Sequence, residues 1–498
     1  MTAPSVREPS VVIIGAGVAG ITTAFVLKRA GYTDITVLDK GSEVGGVWHW
    51  NHYPGLTCDI FSQVYQFPWA LKPDWTHLWA DGPQIGRYLS DVVDQHDLRR
   101  HIRLDSEVTA AEFTGTGWEL TLAGGDQLAA DFLICATGVL HHPSIPDIPG
   151  LDTFTGPVVH TARWDDNLET AGKRIAVVGT GSTGVQVVSA LQPEAARIEH
   201  FSRTPQWIIW APMWLRQPQF ASRMLARAPW LNKRLYSALL WSSGLLADVA
   251  TKPSWRRRAL QDYARLSLRL QVWDKKLRSK LTPDYQPLCK RQVISGTYYQ
   301  AIKKPNAELV VERIDSVTPE GIRTHDGRLH PVDIIVLATG FQAHNYMRPM
   351  RVVGRNNLKL DDAWEKGPRA YRMTAIPGFP NLFTVLGPNS PTGSVSLQYT
   401  SELTANYIAQ WLDRYRRGEI DTVEVTEDAT TQFNDDVAVA LGPTVWNTGC
   451  NSWYLTEDNR VDLWPYDRKV MSEMLATPDE RDFVVTAAGA LSNARGGN

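Results

Sequence analysis

The chain is 498 residues long, more than one hydrophobic core can serve, so two or three domains are expected. Its 51 Lys and Arg against 53 Asp and Glu leave a formal net charge of −2, which gives no electrostatic case for nucleic acid or an anionic membrane. Cys58, Cys135, Cys289 and Cys450 lie far apart with no C-x-x-C pair, which argues against a disulfide framework, a zinc site and a dithiol reductase.

The first residues hold one Arg before an apolar strand begins, unlike a signal peptide. No apolar run approaches the ~20 residues that span a bilayer, since the best, near 238–246, is broken by Ser242, Ser243 and Gly244. A cytoplasmic protein is expected. The strand Val11-Val12-Ile13-Ile14 enters Gly15-Ala16-Gly17-Val18-Ala19-Gly20 and then an apolar helix. Such a turn lets backbone N–H groups and a helix N-terminus approach a pyrophosphate closely. Asp39 ends the next strand, 19 residues after Gly20, where an acid suits a ribose 2′-OH.

A loop at 40–59, rich in Gly and aromatic residues, follows, and 107–128 alternates as a small antiparallel ribbon should. The strand Phe132-Leu133-Ile134-Cys135 then runs into Ala136-Thr137-Gly138, and a Pro-rich run at 142–150 reads as a linker. The glycine device recurs: Ile175-Ala176-Val177-Val178 enters Gly179-Thr180-Gly181-Ser182-Thr183-Gly184. Here Arg203 stands 19 residues after the last glycine, and an Arg there pairs with a 2′-phosphate. The first site therefore predicts an adenine dinucleotide with a free ribose, and the second predicts NADP.

Residues 213–284 turn helical and basic, as in Trp255-Arg256-Arg257-Arg258, a run that reads as a solvated face. This insertion and the C-terminal loops are expected to wall the substrate pocket. Ile334-Ile335-Val336-Leu337 leads into Ala338-Thr339-Gly340, repeating the earlier strand end, and each copy follows an Asp, Asp131 or Asp333. Most of the 19 Trp are expected in the core. The predicted fold is α/β, with two Rossmann-like dinucleotide-binding domains and a helical insertion in the second. The first domain is expected to take 1–145 and 376–476, and the second 150–212 and 285–375, around the insertion at 213–284. Residues 477–498 read as a frayed tail.

Two such domains fit disulfide reductases, heteroatom oxygenases and ketone monooxygenases alike. Three further motifs separate them. Phe154-x-Gly156-x-x-x-His160-x-x-x-Trp164-Asp165 resembles the fingerprint of type I Baeyer–Villiger monooxygenases. Gly45-Gly46-x-Trp48-x-x-x-x-Tyr53-Pro54-Gly55-x-x-x-Asp59 is similar to that family's second fingerprint, and Lys290-Arg291 ahead of Tyr298-Tyr299 resembles its Lys-Arg segment. Cys450-Asn451-Ser452-Trp453-Tyr454-Leu455 resembles the family's Trp-containing loop, but Thr456-Glu457-Asp458 replaces the usual Gly-Ala-Asn.

The resemblance implies FAD in the first domain, NADPH in the second, O₂ and a small-molecule ketone as substrates, and no metal. It implies oxygen insertion beside the ketone carbonyl through a C4a-peroxyflavin, giving an ester or lactone. A fixed cation is wanted beside the developing oxyanion, and Arg291 is assigned to it, with Asp59 as its orienting anion. FAD contacts are expected from Gly15, Gly17, Gly20, Asp39, Lys40, Gly46, Trp48, Asp59, Tyr65 and Val108. NADP contacts are expected from Gly179, Thr180, Gly181, Ser182, Gly184, Gln186, Arg203, Thr204, Lys290 and Arg291. His160, bonded to backbone, is expected to hold the hinge with Phe154, Gly156, Trp164 and Asp165. Trp453 is a candidate for the substrate and NADP loop. Two other readings stay open, a flavin-dependent S- or N-oxygenase and a non-catalytic NADPH sensor.

Overall fold

Two parallel five-stranded sheets carry the two glycine loops in the computed structural model, which describes residues 7–391, 396–450 and 452–487, without the side chains of 245–248. The first sheet is ordered Leu382–Thr384, Phe132–Cys135, Val11–Ile14, Ile35–Leu38, Ile102–Arg103. The second is ordered Ala307–Val310, Arg197–Phe201, Arg174–Val178, Ile334–Leu337, Val158–His160. Parallel sheets are covered on both faces, which is why their strands read as unbroken apolar runs. Ile13, Ile134, Val177 and Val336 are fully buried.

The register repeats as well as the motif. Val11 lies opposite Ile35 and Phe132, and Ile175 lies opposite Ile198 and Ile334. Gly15 and Gly179 have φ of +107° and +118°, and a Cβ on either would collide with the carbonyl of Ala136 or Ala338. The small Ala-Thr-Gly strand ends therefore press directly on the glycine loops. Only glycine gives both that conformation and that clearance.

The ribbon forms as Val108–Phe113, Trp118–Leu122 and Gln127–Ala130. The structure corrects one expected boundary here. Arg351–Val353 pairs in parallel with Val108–Phe113, and Tyr346, Met350 and Trp364 share a core with Val12 and Leu133. Much of 346–375, expected in the second domain, thus belongs to the first, because an open strand edge recruits the returning chain. The tail is corrected too. Phe483–Ala487 is a strand antiparallel to Ile420–Val425, anchored where Phe483 packs on Tyr371 and Trp411. Residues 488–498 of that expected tail lie outside the described ones.

The insertion comprises the helices Gln219–Arg227, Pro229–Thr251, Trp255–Gln271 and Lys275–Lys280. Among the described residues no helix is long and apolar enough to cross a membrane. The reading of the cysteines is overturned for one pair: Cys289 and Cys450, 161 residues apart, form a disulfide with Cα atoms 6.2 Å apart. Separation along the chain sets no limit on separation in space once two domains fold against each other. Cys58 and Cys135 are free and buried.

Candidate active site

A crevice of about 2090 Å³ is lined by both glycine loops. A drug-sized ligand site measures roughly 300–1,000 Å³, so this one has room for two large ligands. On the first side Gly15, Gly17, Lys40, Gly46 and Val108 face it. The Asp39 carboxylate accepts hydrogen bonds from Ala16 N–H (2.6 Å) and Gly41 N–H (2.7 Å), fastening the loop to the strand end. Gly20 lies beneath the loop, where any Cβ would collide with the Gly15 carbonyl, and Gly184 repeats this against Gly179.

On the second side Gly179, Thr180, Gly181 and Ser182 line the crevice at the start of the helix Ser182–Leu191. His200 holds this loop. Its Nε2 lies 2.8 Å from the Gly179 carbonyl and must donate to it, so Nδ1 accepts from the Tyr298 hydroxyl, also at 2.8 Å. Burial pushes this imidazole's pKa down to about 4. Arg203 is exposed at the crevice wall with Thr204 beside it. Burial and the nearby Arg203 both lower the Lys290 ammonium's pKa, so two positive charges converge there.

Asp59 and Arg291 meet at the centre. The Arg291 side chain is 50% exposed, into the crevice, whereas that of Asp59 is 9% exposed. Asp59 Oδ2 accepts from Ser182 Oγ (3.0 Å) and lies 3.6 Å from Arg291 Nε, a loose ion pair. Asp59 Oδ1 is buried with no hydrogen-bond partner among the described residues. Burial raises the Asp59 carboxyl's pKa, and Arg291 and Ser182 pull it back. Burial also works against the Arg291 charge, but Asp59, Tyr454, Cys58 and Tyr65 outweigh it and raise its pKa. The guanidinium is therefore a permanent charge with donors free toward the cavity.

Other expected residues fall into three groups. Trp48 and Tyr65 line the crevice together, the indole N–H donating to the phenol oxygen at 2.9 Å. Trp453 also lines it, edge-on to Tyr454. Gln186 reaches it, but its amide is already engaged: Nε2 donates to the Thr57 carbonyl and Oε1 accepts from Tyr53, both at 2.9 Å. That side chain ties the 53–57 loop to the second domain's helix.

The fingerprint residues Phe154, Gly156, His160, Trp164 and Asp165 do not line the crevice. His160 sits on an edge strand of the second sheet, where its Nδ1 accepts from Ala162 N–H (3.1 Å). Trp164 is buried in the second core, and Asp165 accepts from Asn167 N–H in an exposed turn. No described residue of 213–284 lines this crevice, although the insertion was expected to wall the substrate pocket. The C-terminal loop does, through Ser452, Trp453 and Leu455.

Sequence reasoning missed the Ser182–Asp59 bond and the His200–Gly179 fastener. Tyr53 stood inside a quoted motif, and its spacing was the one available signal.

The family described as pyridine nucleotide-disulphide oxidoreductase matches residues 12–219. An uncharacterized monooxygenase of Mycobacterium tuberculosis is 44% identical over 482 residues, covering 96% of each chain. The Baeyer-Villiger monooxygenase of Streptomyces coelicolor is 38% identical over 461 residues, 91% of this chain and 88% of the relative. The crystal structure of cyclohexanone monooxygenase from Rhodococcus sp. Phi1 bound to NADP+ matches with a TM-score of 0.86 at 29% identity, covering 97% of this chain and all of that one. With both glycine loops opening on one crevice and a permanent cation at its centre, this chain belongs to the type I Baeyer–Villiger monooxygenases, flavin-dependent enzymes of class B.

Proposed function

We propose that the chain is an NADPH- and O₂-dependent flavin monooxygenase that inserts one oxygen atom beside a ketone carbonyl to give an ester or lactone. The residues present fit the two cofactors. Each glycine loop lines the crevice with backbone that no side chain covers, and the second adds converging Arg203 and Lys290 charges suited to a phosphate. Gly15, Gly17, Asp39, Lys40, Gly46, Trp48, Tyr65 and Val108 would hold FAD. Gly179, Thr180, Gly181, Ser182, Arg203, Thr204 and Lys290 would hold NADPH. FAD reduced by NADPH supplies the oxygen-activating chemistry.

The protein's own part is electrostatic. Arg291 offers fixed N–H donors to the ketone oxygen as negative charge develops on it, with no proton to move and no dipole to reorganise. Asp59 holds that guanidinium, and its bond to Ser182 couples the cation's position to the second glycine loop. Trp48, Tyr65 and Trp453 shield the centre from bulk water. His160, on the edge strand of the second sheet, would act as a positioning residue away from the crevice wall. The observation that carries this reading is a half-open, permanently charged guanidinium facing the crevice on one loose carboxylate contact.

The test is oxygen uptake with cyclic ketones, aryl ketones and thioethers in parallel, followed by product analysis. Ester or lactone formation that consumes NADPH is expected. Sulfoxides without esters would overturn the reading.

A further inference from the structure

The net charge of −2 conceals a strong polarity. Residues 213–284 hold 15 Lys and Arg against 4 Asp and Glu, a formal +11, which leaves −13 on the rest of the chain. The same segment carries Trp214, Trp230, Trp241, Trp255 and Trp273, and among the described residues these are the Trp side chains more than half exposed. An exposed Trp leaves apolar ring surface in water, and it is the side chain best suited to an interface wet on one side and apolar on the other.

The helix Trp255–Gln271 shows how the two features are arranged. Its inward face buries Arg257, Ala264, Ser267 and Leu268. Its outward face carries Trp255, Ala259, Tyr263, Leu266 and Leu270, spaced by three or four residues, so they form one apolar stripe turned to solvent. Trp273 continues the stripe at 84% exposure. Arg258, Arg265 and Arg269 form an exposed row beside it. On the neighbouring helices Phe220 and Trp230 are also exposed, and the Arg234 guanidinium sits 5.4 Å from the Trp230 ring centroid. None of this surface is used by the crevice.

We infer that the helical insertion is a docking surface for a membrane rich in anionic phospholipid. The outward aromatic and leucine side chains enter the acyl boundary while the flanking Arg and Lys meet the headgroup phosphates. Charge selects this occupant. A second copy docking face to face would set +11 against +11. Nucleic acid would satisfy the basic row but leave the Leu266 and Leu270 stripe without an apolar phase. The helices lie at the interface and none crosses it, in keeping with their length and hydropathy.

The experiment uses the purified holoenzyme with vesicles of phosphatidylcholine alone or mixed with phosphatidylglycerol. Sedimentation with the anionic vesicles only, reversed by salt, is expected, together with a blue shift of Trp emission. Replacing Arg258, Arg265 and Arg269 by Gln together is expected to weaken partitioning about a hundredfold. Trp255→Ala with Leu270→Ala is expected to weaken it and reduce the emission shift. Both variants alter exposed side chains, and unchanged ketone turnover in lipid-free buffer shows that they remain folded. The inference is overturned by equal binding to neutral vesicles, by no binding, or by variants that bind like the parent. It is also overturned by lipid-independent self-association, or by tighter binding to duplex DNA than to vesicles at the same salt.

Discussion

The two nucleotide units share strand order, register and glycine clearance, and they differ in what secures the loop. In the first, Asp39 turns both carboxylate oxygens back onto its own backbone, gripping Ala16 and Gly41 N–H. In the second, the corresponding position is Arg203, an exposed side chain that makes no such grip. Fastening falls instead to His200, three residues earlier, through the Gly179 carbonyl. One residue cannot serve both as a carboxylate clamp and as a phosphate-seeking cation. Where specificity demands the cation, the clamp moves elsewhere.

The sharpest test of the pair acts on what both units serve. Arg291→Ala is expected to cut ester yield about 10²–10³-fold while NADPH still bleaches the flavin, read by stopped-flow absorbance beside product analysis. Bleaching lost together with ester would assign Arg291 to NADPH binding. Asp39→Ala breaks the first clamp alone. It leaves the buried Ala16 N–H without its partner, at a cost of about 1–3 kcal/mol, and flavin is expected to be lost on gel filtration. Arg203→Ala strikes the second unit alone. The preference for NADPH over NADH is expected to fall about tenfold or more with flavin content unchanged, measured as the ratio of kcat/KM values. If the ratio holds, the phosphate is bound elsewhere.

At neutral pH the last effect vanishes, and it emerges only on acidification. Burial holds the His200 pKa at about 4, below the 6.5 of the unfolded chain, so the unfolded state binds the extra proton first. Stability from this group is therefore complete above pH 6.5 and is lost as pH falls toward 4, by about 3 kcal/mol at most. Thermal melts across that range are expected to flatten in His200→Gln.

Local patterns made much of this legible. Each strand, glycine turn and following charge lies within one continuous segment, and the Ala-Thr-Gly repeats marked the strands that press on the loops. What stayed hidden depends on contacts between distant segments that carry no periodic signal. Ser182 reaches Asp59 across 123 residues, and Gln186 spends its amide on Tyr53 and Thr57. The return of Arg351–Val353 to the first domain answers to an open strand edge, which a sequence does not display. Net charge is silent for a related reason. A sum over the chain discards position, and the +11 of the insertion vanished within it.

The Cys289–Cys450 bridge has a topological consequence. It closes a covalent ring that contains Lys290-Arg291, the second-sheet strand Ile334–Leu337 and the first-sheet strand Leu382–Thr384, so both halves of the enzyme are threaded on one hoop. A protease that nicks any loop inside the hoop is expected to leave one species on a non-reducing gel and two fragments after thiol treatment. Opening the hoop without a nick frees the denatured chain, lowering stability by roughly 5 kcal/mol. Endurance of the fold thus becomes a property of its redox surroundings.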